Sequence, residues 1–214
     1  GHTGFKGFWL SMILKSLGAD VLGISLQVDA NKKSHFATID GEDLIKTHYL
    51  DIRNIKELRE VIELSKPDYI FHLAAQALVS ESFRDPINTF TTNTMGSINL
   101  LESLRLINRE CNLIMITSDK VYENVEWVFG YRENDKLGGK DPYSASKACA
   151  ELSIRSYFNS FLLNSNIKLG IARAGNVIGG GDWSENRLVP DCIRSWTKGI
   201  DVKLRSPNST RPWQ

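Results

Sequence analysis

Three apolar runs constrain this chain more than anything else in it: "YIFHLAA" from Tyr69, "NLIMITS" from Asn112 and "IKLGIARAGNVIG" from Ile167. The third reads as a strand that runs into glycine-rich turns; the first two are continuous, without the apolar–polar alternation of a half-solvated strand. Stretches with helical spacing lie between them. Strands buried on both faces read this way, and they occur in parallel sheets covered by helices on either side. Parallel neighbours need a crossover, for which a helix is the usual solution. The expected fold is therefore α/β with a doubly wound parallel sheet, in which ligands bind outside the carboxyl ends of the strands.

The rest of the chain fits this alternation. Phe8, Trp9, Met12, Ile13 and Leu17 recur at helical spacing, and Gly18 is placed to stop that helix. "DVLGISL" and "THYLDIR" read as strands, the second ending near Asp51, with a polar loop between Gln27 and Asp43. Asn54 is placed to cap a helix carrying Leu58, Val61, Ile62 and Leu64, which Pro67 ends. Asp85 and Pro86 start a long helix through Leu106. "DPYSASKACAELSIRSYFNSFLL" is a second long amphipathic helix, and "RLVPDCIRSWTKG" a short one. Beyond Ile178 the pattern loosens into glycine, proline and arginine.

Composition removes several function classes. Over 214 residues the net charge is +1, with no long basic or acidic run, so neither nucleic acid nor a membrane surface is an expected partner. No apolar stretch is long enough to span a bilayer. Cys111, Cys149 and Cys192 are far apart and odd in number, which reads as reduced thiols in a cytoplasmic protein with no metal site.

The chain opens on "GHTGFKG", with Gly1, Gly4 and Gly7 three residues apart. Glycine tolerates positive φ, and it lets backbone N–H groups approach a pyrophosphate at a helix N-terminus. Such a loop normally follows a buried strand, so a first strand is expected to precede Gly1 outside this chain. Further on, "PYSASK" sets Tyr143 and Lys147 four apart on one helix face. An ammonium beside a phenol favours the phenolate and lowers its pKa toward neutrality, where it serves as a base. "TSDKVY" places Thr117, Ser118, Asp119 and Lys120 at the carboxyl end of a buried strand.

Taken together, "GHTGFKG", "LDIR", "HLAAQ", "TTNTMGSINLLE", "TSDKVYEN", "YSASK", "ARAGNVIGGGDW", "RLVPD" and "TRPW" resemble the extended short-chain dehydrogenase/reductase superfamily, in its nucleotide-sugar branch. Within that branch the chain is similar to the 4,6-dehydratases that act on CDP-glucose, for which the adjacent Asp119–Lys120 pair is the discriminator. The resemblance implies a Rossmann-type unit over 1–177, with 178–214 beginning a substrate-binding segment. It implies NAD as cofactor, CDP-glucose as the nucleotide-sugar substrate, and a homodimer or higher homo-oligomer.

It also implies roles. Tyr143, aided by Lys147 and Ser118, takes the proton of the sugar C4 hydroxyl as the hydride leaves. Asp119 and Lys120, a coupled pair whose roles can be shared, serve the C6 hydroxyl and the C5 proton. Gly1, Gly4, Phe5 and Gly7 would approach the pyrophosphate, Asp51 and Ile52 the adenine, and Ala74, Ala75, Gln76 and Thr92 the dinucleotide. Asn176, Arg187, Arg205 and Arg211 would face the sugar diphosphate. Trp127, Trp183 and Trp213 would pack near the substrate channel, and His72 reads as a satisfied core histidine. One departure stands out. The acidic ribose-binding residue expected at the end of the "GISL" strand is replaced by Ser25, with Asp29 later; Lys32 and Lys33 are open to a 2′-phosphate or to a solvated loop. The alternatives are another nucleotide-sugar dehydratase, a 4-epimerase, or a non-catalytic dinucleotide-binding fragment.

Overall fold

A computed structural model describes residues 1–29 and 33–213; Lys32 lies outside them. The elements are α1 (Phe5–Ser16), β1 (Leu22–Ser25), α2 (His35–Thr38), α3 (Gly41–Leu44), β2 (Lys46–Tyr49), α4 (Ile55–Ser65), β3 (Tyr69–His72), α5 (Val79–Arg84), α6 (Pro86–Phe90), α7 (Gly96–Ile107), β4 (Cys111–Ser118), α8 (Pro142–Tyr157), β5 (Ile167–Ala174) and α9 (Leu188–Trp196). Among the described residues these strands pair in parallel: β1 with β2, and β3, β4, β5 in that order. Gly1 bonds the carbonyl of Ile24 on β1, and a Cβ on it would meet Ala74 just past β3. The loop thus sits between the carboxyl ends of the two sheets, as the doubly wound expectation requires.

The local reasons are readable. Asn54 accepts the Glu57 N–H at 3.4 Å to start α4, and Lys66 in the left-handed region ends it. Asp85 accepts the Asn88 N–H at 2.9 Å ahead of Pro86, and Asp141 accepts the Ser144 N–H at 2.9 Å ahead of Pro142. Gly18 has φ +85°, a cost-free stop for α1. The main core joins α4, α7 and α8 to β3, β4 and β5 through Leu58, Leu101, Leu113, Met115, Ile154 and Ile167. A smaller cluster of Phe8, Phe36 and Ile45 seats α1.

Four expectations need correcting. The segment between Gln27 and Asp43 contains α2, capped by Ser34, and α3, both too short to show a helical period. The run "YIFHLAA" is not buried throughout: β3 is four residues long and Tyr69 is 63% exposed. The long helix after Pro86 is interrupted by a π turn at Thr91–Met95, and α8 likewise runs into a π turn at Phe158–Leu162. An unforeseen helix, α5, precedes Asp85.

Candidate active site

The glycine loop is built by contact rather than by unusual φ. Among the described residues only Gly18, Gly181 and Gly199 are glycines with positive φ, so that half of the expectation fails for Gly4 and Gly7. A Cβ on Gly7 would stand 2.1 Å from the Gly1 carbonyl oxygen, and one on Gly1 would stand 2.6 Å from Ala74 N. Gly4 is different: its Cβ would lie 3.4 Å from the nearest atom, an ordinary contact. Gly4 is the N-cap of α1, provides no side-chain cap, and is followed by a first turn without acid. The first-turn N–H groups at Phe5, Lys6 and Gly7 therefore face outward at the positive end of a helix dipole.

Three elements converge beside this loop. β4 delivers Ser118 at its carboxyl end, buried. Its hydroxyl donates to Asp119 Oδ1 at 3.0 Å and accepts from the Lys120 N–H at 3.3 Å. Asp119 and Lys120 follow in a single 3₁₀ turn, both half-buried. α8 delivers Tyr143 and, one turn later, Lys147, whose ammonium donates to the Ile116 carbonyl at 3.5 Å.

The charges in this group act on one another. Burial raises the Tyr143 phenol above its ordinary value; hydrogen bonding with Ser118 pulls it down, the Asp119 charge pushes it up, and Arg187 lowers it. The net direction is upward. The expected depression toward neutrality is thus absent in the cofactor-free protein, because burial prevails and the Lys147 ammonium is turned to a carbonyl of β4. Burial brings Lys147 itself down to about 8, and the Lys6 charge adds to this. Lys6, whose side chain keeps much exposure, is lowered by desolvation and by Arg187 and raised by Asp119. Lys6, Asp119, Tyr143, Lys147 and Arg187 therefore act on one another's charge around the carboxyl end of β4, the candidate cleft.

The other expected residues divide. Gln76 follows β3: its N–H donates to Asn93 Oδ1 at 2.8 Å, and its amide nitrogen donates to Thr89 Oγ1 at 2.9 Å. Ala74 packs against Gly1, and Ala75 continues this segment. Thr92 lies in the π turn. Asp51 stands at the end of β2, but its carboxylate is engaged by Arg53 Nε at 2.9–3.0 Å, which holds it below the usual range. Ile52 is a core residue whose carbonyl accepts from Asn99 at 3.0 Å. Ser25 shares a hydrogen bond with Thr3, so a hydroxyl pair stands at the end of β1. Lys33 lies over the Trp183 ring, 5.1 Å from its centroid.

Asn176 donates its backbone N–H to Pro212 at 3.2 Å and forms a bridge with Trp213. Arg187 pairs with Asp182 at 3.0 Å within the cleft. Arg205 is turned to Asn186, at 2.8 Å, and Arg211 to the adjoining Thr210 carbonyl, at 2.8 Å; no contact brings either to Tyr143. Trp127 packs on Phe129 and Tyr131. His72 is buried and shares a hydrogen bond of 3.2 Å with Ser97, as a satisfied core histidine should.

Sequence reasoning missed two contributors. Lys6 was visible as a cation inside a glycine loop, one turn before the apolar face of α1. Asn93 is 1% exposed and also donates to the Gln76 carbonyl at 3.1 Å and to Ser146 Oγ at 2.9 Å. It stitches the segment after β3 to α8. Its signal was an amide inside an otherwise packed helical face.

Fold and site together define a Rossmann-type α/β architecture of parallel strands, with Tyr143 and Lys147 of α8 beside Ser118 at the carboxyl end of β4. A family model described as GDP-mannose 4,6 dehydratase matches residues 1–179, and the chain belongs to that family. It is 48% identical, over all of its length, to the CDP-glucose 4,6-dehydratase of Salmonella typhimurium, and spans 61% of that protein. Among solved structures, the UDP-glucose 4-epimerase of Thermus thermophilus in complex with NAD is 25% identical with a TM-score of 0.80; the match covers 100% of this chain and 68% of that one. DesIV of Streptomyces venezuelae, a dTDP-glucose 4,6-dehydratase, shares the fold at a TM-score of 0.84 and 23% identity, covering 100% of this chain and 66% of that one.

Proposed function

We propose that the protein is a nucleotide-sugar 4,6-dehydratase that uses NAD and converts CDP-glucose to CDP-4-keto-6-deoxyglucose. The carrying observation is the meeting of the Tyr143 phenol with Ser118 and Asp119 beside the glycine loop. Residues 1–177 would form the dinucleotide-binding unit and 178–214 the start of the substrate-binding segment. The 48% identity to the Salmonella enzyme supports the choice of substrate.

The loop suits a dinucleotide. Added Cβ atoms at Gly1 and Gly7 would collide with backbone, Gly4 leaves its side open, and the uncapped start of α1 offers N–H donors to a pyrophosphate. When bound, NAD supplies a hydride acceptor that is regenerated within each cycle. The protein's own groups handle the protons. Tyr143 takes the C4 hydroxyl proton while Ser118 holds that oxygen. A 4-keto group then acidifies C5. Asp119 and Lys120, adjacent on one turn, remove the C5 proton and protonate the departing C6 hydroxyl, so that water leaves. The same pair returns a proton to C5 when C6 is reduced. A 4-epimerase has no use for an acid at Asp119, which favours dehydration.

An oligomer would use the outer faces of α6, α7 and α8, where Ile87, Leu106 and Leu152 are exposed. The function is tested by incubating the full-length protein with CDP-glucose, UDP-glucose, dTDP-glucose and GDP-mannose and following products by NMR. A 4-keto-6-deoxy product from CDP-glucose is expected. A 4-epimer, or preference for another nucleotide, would overturn the assignment.

A further inference from the structure

Tyr143, Lys147 and Glu151 follow at four-residue intervals along α8. Glu151 is completely buried, although the reaction has no use for it. Its carboxylate accepts from Thr117 Oγ1 at 3.2 Å, Arg173 Nε at 3.0 Å and Arg155 Nη2 at 2.8 Å, and Arg173 Nη2 adds a further bond. Thr117 and Arg173 are register partners on β4 and β5. One carboxylate thus ties α8 to both strands, one residue before Ser118. Burial alone would raise its pKa; the Arg173 guanidinium, with Arg155 beyond it, holds it below the ordinary range.

Arg173 extends the link. Its guanidinium lies over the Tyr122 ring, 4.5 Å from the centroid, and Tyr122 stacks on Tyr131 at 4.9 Å. Tyr131 in turn donates to Asn124 Oδ1 at 2.9 Å and accepts the Val125 N–H at 2.9 Å. Tyr122 is two residues past Lys120. A planar guanidinium can bond a carboxylate in its plane and stack on a ring with its face, which an ammonium cannot do. Buried ion pairs are poor sources of net stability. Placement is the better account of this one.

We propose that Arg173, clamped by Glu151 and stacked on Tyr122, is a positioning residue that fixes the segment carrying Asp119 and Lys120 against the helix carrying Tyr143 and Lys147. Elimination of water then keeps pace with oxidation at C4. This rests on the dehydratase reading. Arg173→Lys keeps the charge and loses the fork; Tyr122→Leu removes the ring and leaves the carboxylate bonds in place. In a single turnover of the full-length, NAD-loaded enzyme with CDP-glucose, the absorbance of reduced nicotinamide should rise within about threefold of the wild-type rate and decay roughly tenfold more slowly. Uptake of solvent deuterium at C5 should fall by the same factor.

In the cofactor-free variants, amide exchange over residues 119–125 should quicken by about tenfold while α8 is unchanged. Equal slowing of rise and decay, or exchange increased throughout α8, would mark a merely structural pair and overturn the proposal. A wild-type enzyme inert toward CDP-glucose would sink the dehydratase reading and the kinetic half with it. In that case unaltered exchange at 119–125 would overturn the clamp as well.

Discussion

Burial lowers the pKa of Lys147 on α8 to about 8, and the charge of Lys6, at the start of α1, adds to this. The cleft therefore holds a cation at a cost in stability. Replacing it should show this. Lys147→Met should stabilise the cofactor-free protein by about 2–3 kcal/mol at neutral pH while abolishing turnover, a trade of stability for function. The sign also predicts a pH effect. The folded value lies below the ordinary 10.5, so the penalty is full below about pH 8 and is relieved as pH rises through the unfolded value. Urea titrations from about pH 7 to pH 9.5 should show wild type gaining about 2 kcal/mol on the variant. Parallel curves would refute the placement of Lys147.

His72 gives the acid-side counterpart. Burial, and then the Lys147 charge, lower it to about 3, from an ordinary 6.5. In the unfolded chain it takes up a proton as pH falls through that ordinary value; in the folded chain it does not. Its contribution is full above the unfolded value and is lost progressively below it. Relative to neutral pH, wild type should lose about 2 kcal/mol at about pH 5 that His72→Asn does not lose. Equal losses in both proteins would remove His72 from the account.

The glycine loop separates fold from binding. Gly7→Ala would put a Cβ 2.1 Å from a backbone oxygen, which only a shift of the loop can relieve, whereas Gly4→Ala meets nothing closer than 3.4 Å. Gly7→Ala should cost about 3 kcal/mol or more, read by thermal melting. Gly4→Ala should melt as wild type does yet bind NAD at least about tenfold more weakly, by calorimetry, since its methyl stands at the mouth of the anion site. Unchanged affinity in Gly4→Ala would argue against pyrophosphate at this loop.

What was readable beforehand follows from the range of each interaction. Helix starts at Asn54 and Asp85 are local chemistry, and both caps are present. A buried run marked β4, while β5, which alternates between packed and exposed positions, was readable as a strand but not as a buried one; the four-residue spacing marked Tyr143 and Lys147. The short helices α2 and α3 had too few residues for a period to show. The upward pKa of Tyr143 could not be read from its nearness to Lys147 in sequence, because burial and the direction of the ammonium decide it, and both are tertiary. Arg205 and Arg211 looked equivalent to Arg187 as phosphate ligands. Only the path of the chain beyond β5 distinguishes them, and no periodicity encodes that path.

Arg187 is the arginine of that group whose charge reaches the chemistry: it lowers both Tyr143 and Lys6, while its guanidinium pairs with Asp182 at 3.0 Å. A diphosphate entering the cleft would meet Lys6 and Arg187 together. Removing a charge-assisted hydrogen bond to it costs about 1.5–3 kcal/mol, which corresponds to roughly ten- to hundredfold in affinity. Arg187→Met should therefore raise KM for the nucleotide sugar at least about tenfold, with a smaller change in kcat. Because Asp182 is largely buried and would lose its partner, Arg187→Lys serves as the charge-preserving comparison and should recover part of the loss. Arg211→Met, exposed and bonded to the adjoining Thr210 carbonyl, should leave KM within about threefold. Steady-state kinetics of the three variants in the full-length enzyme decide the point: a larger KM effect at Arg211 than at Arg187 would move the diphosphate site from the cleft to the 205–213 segment.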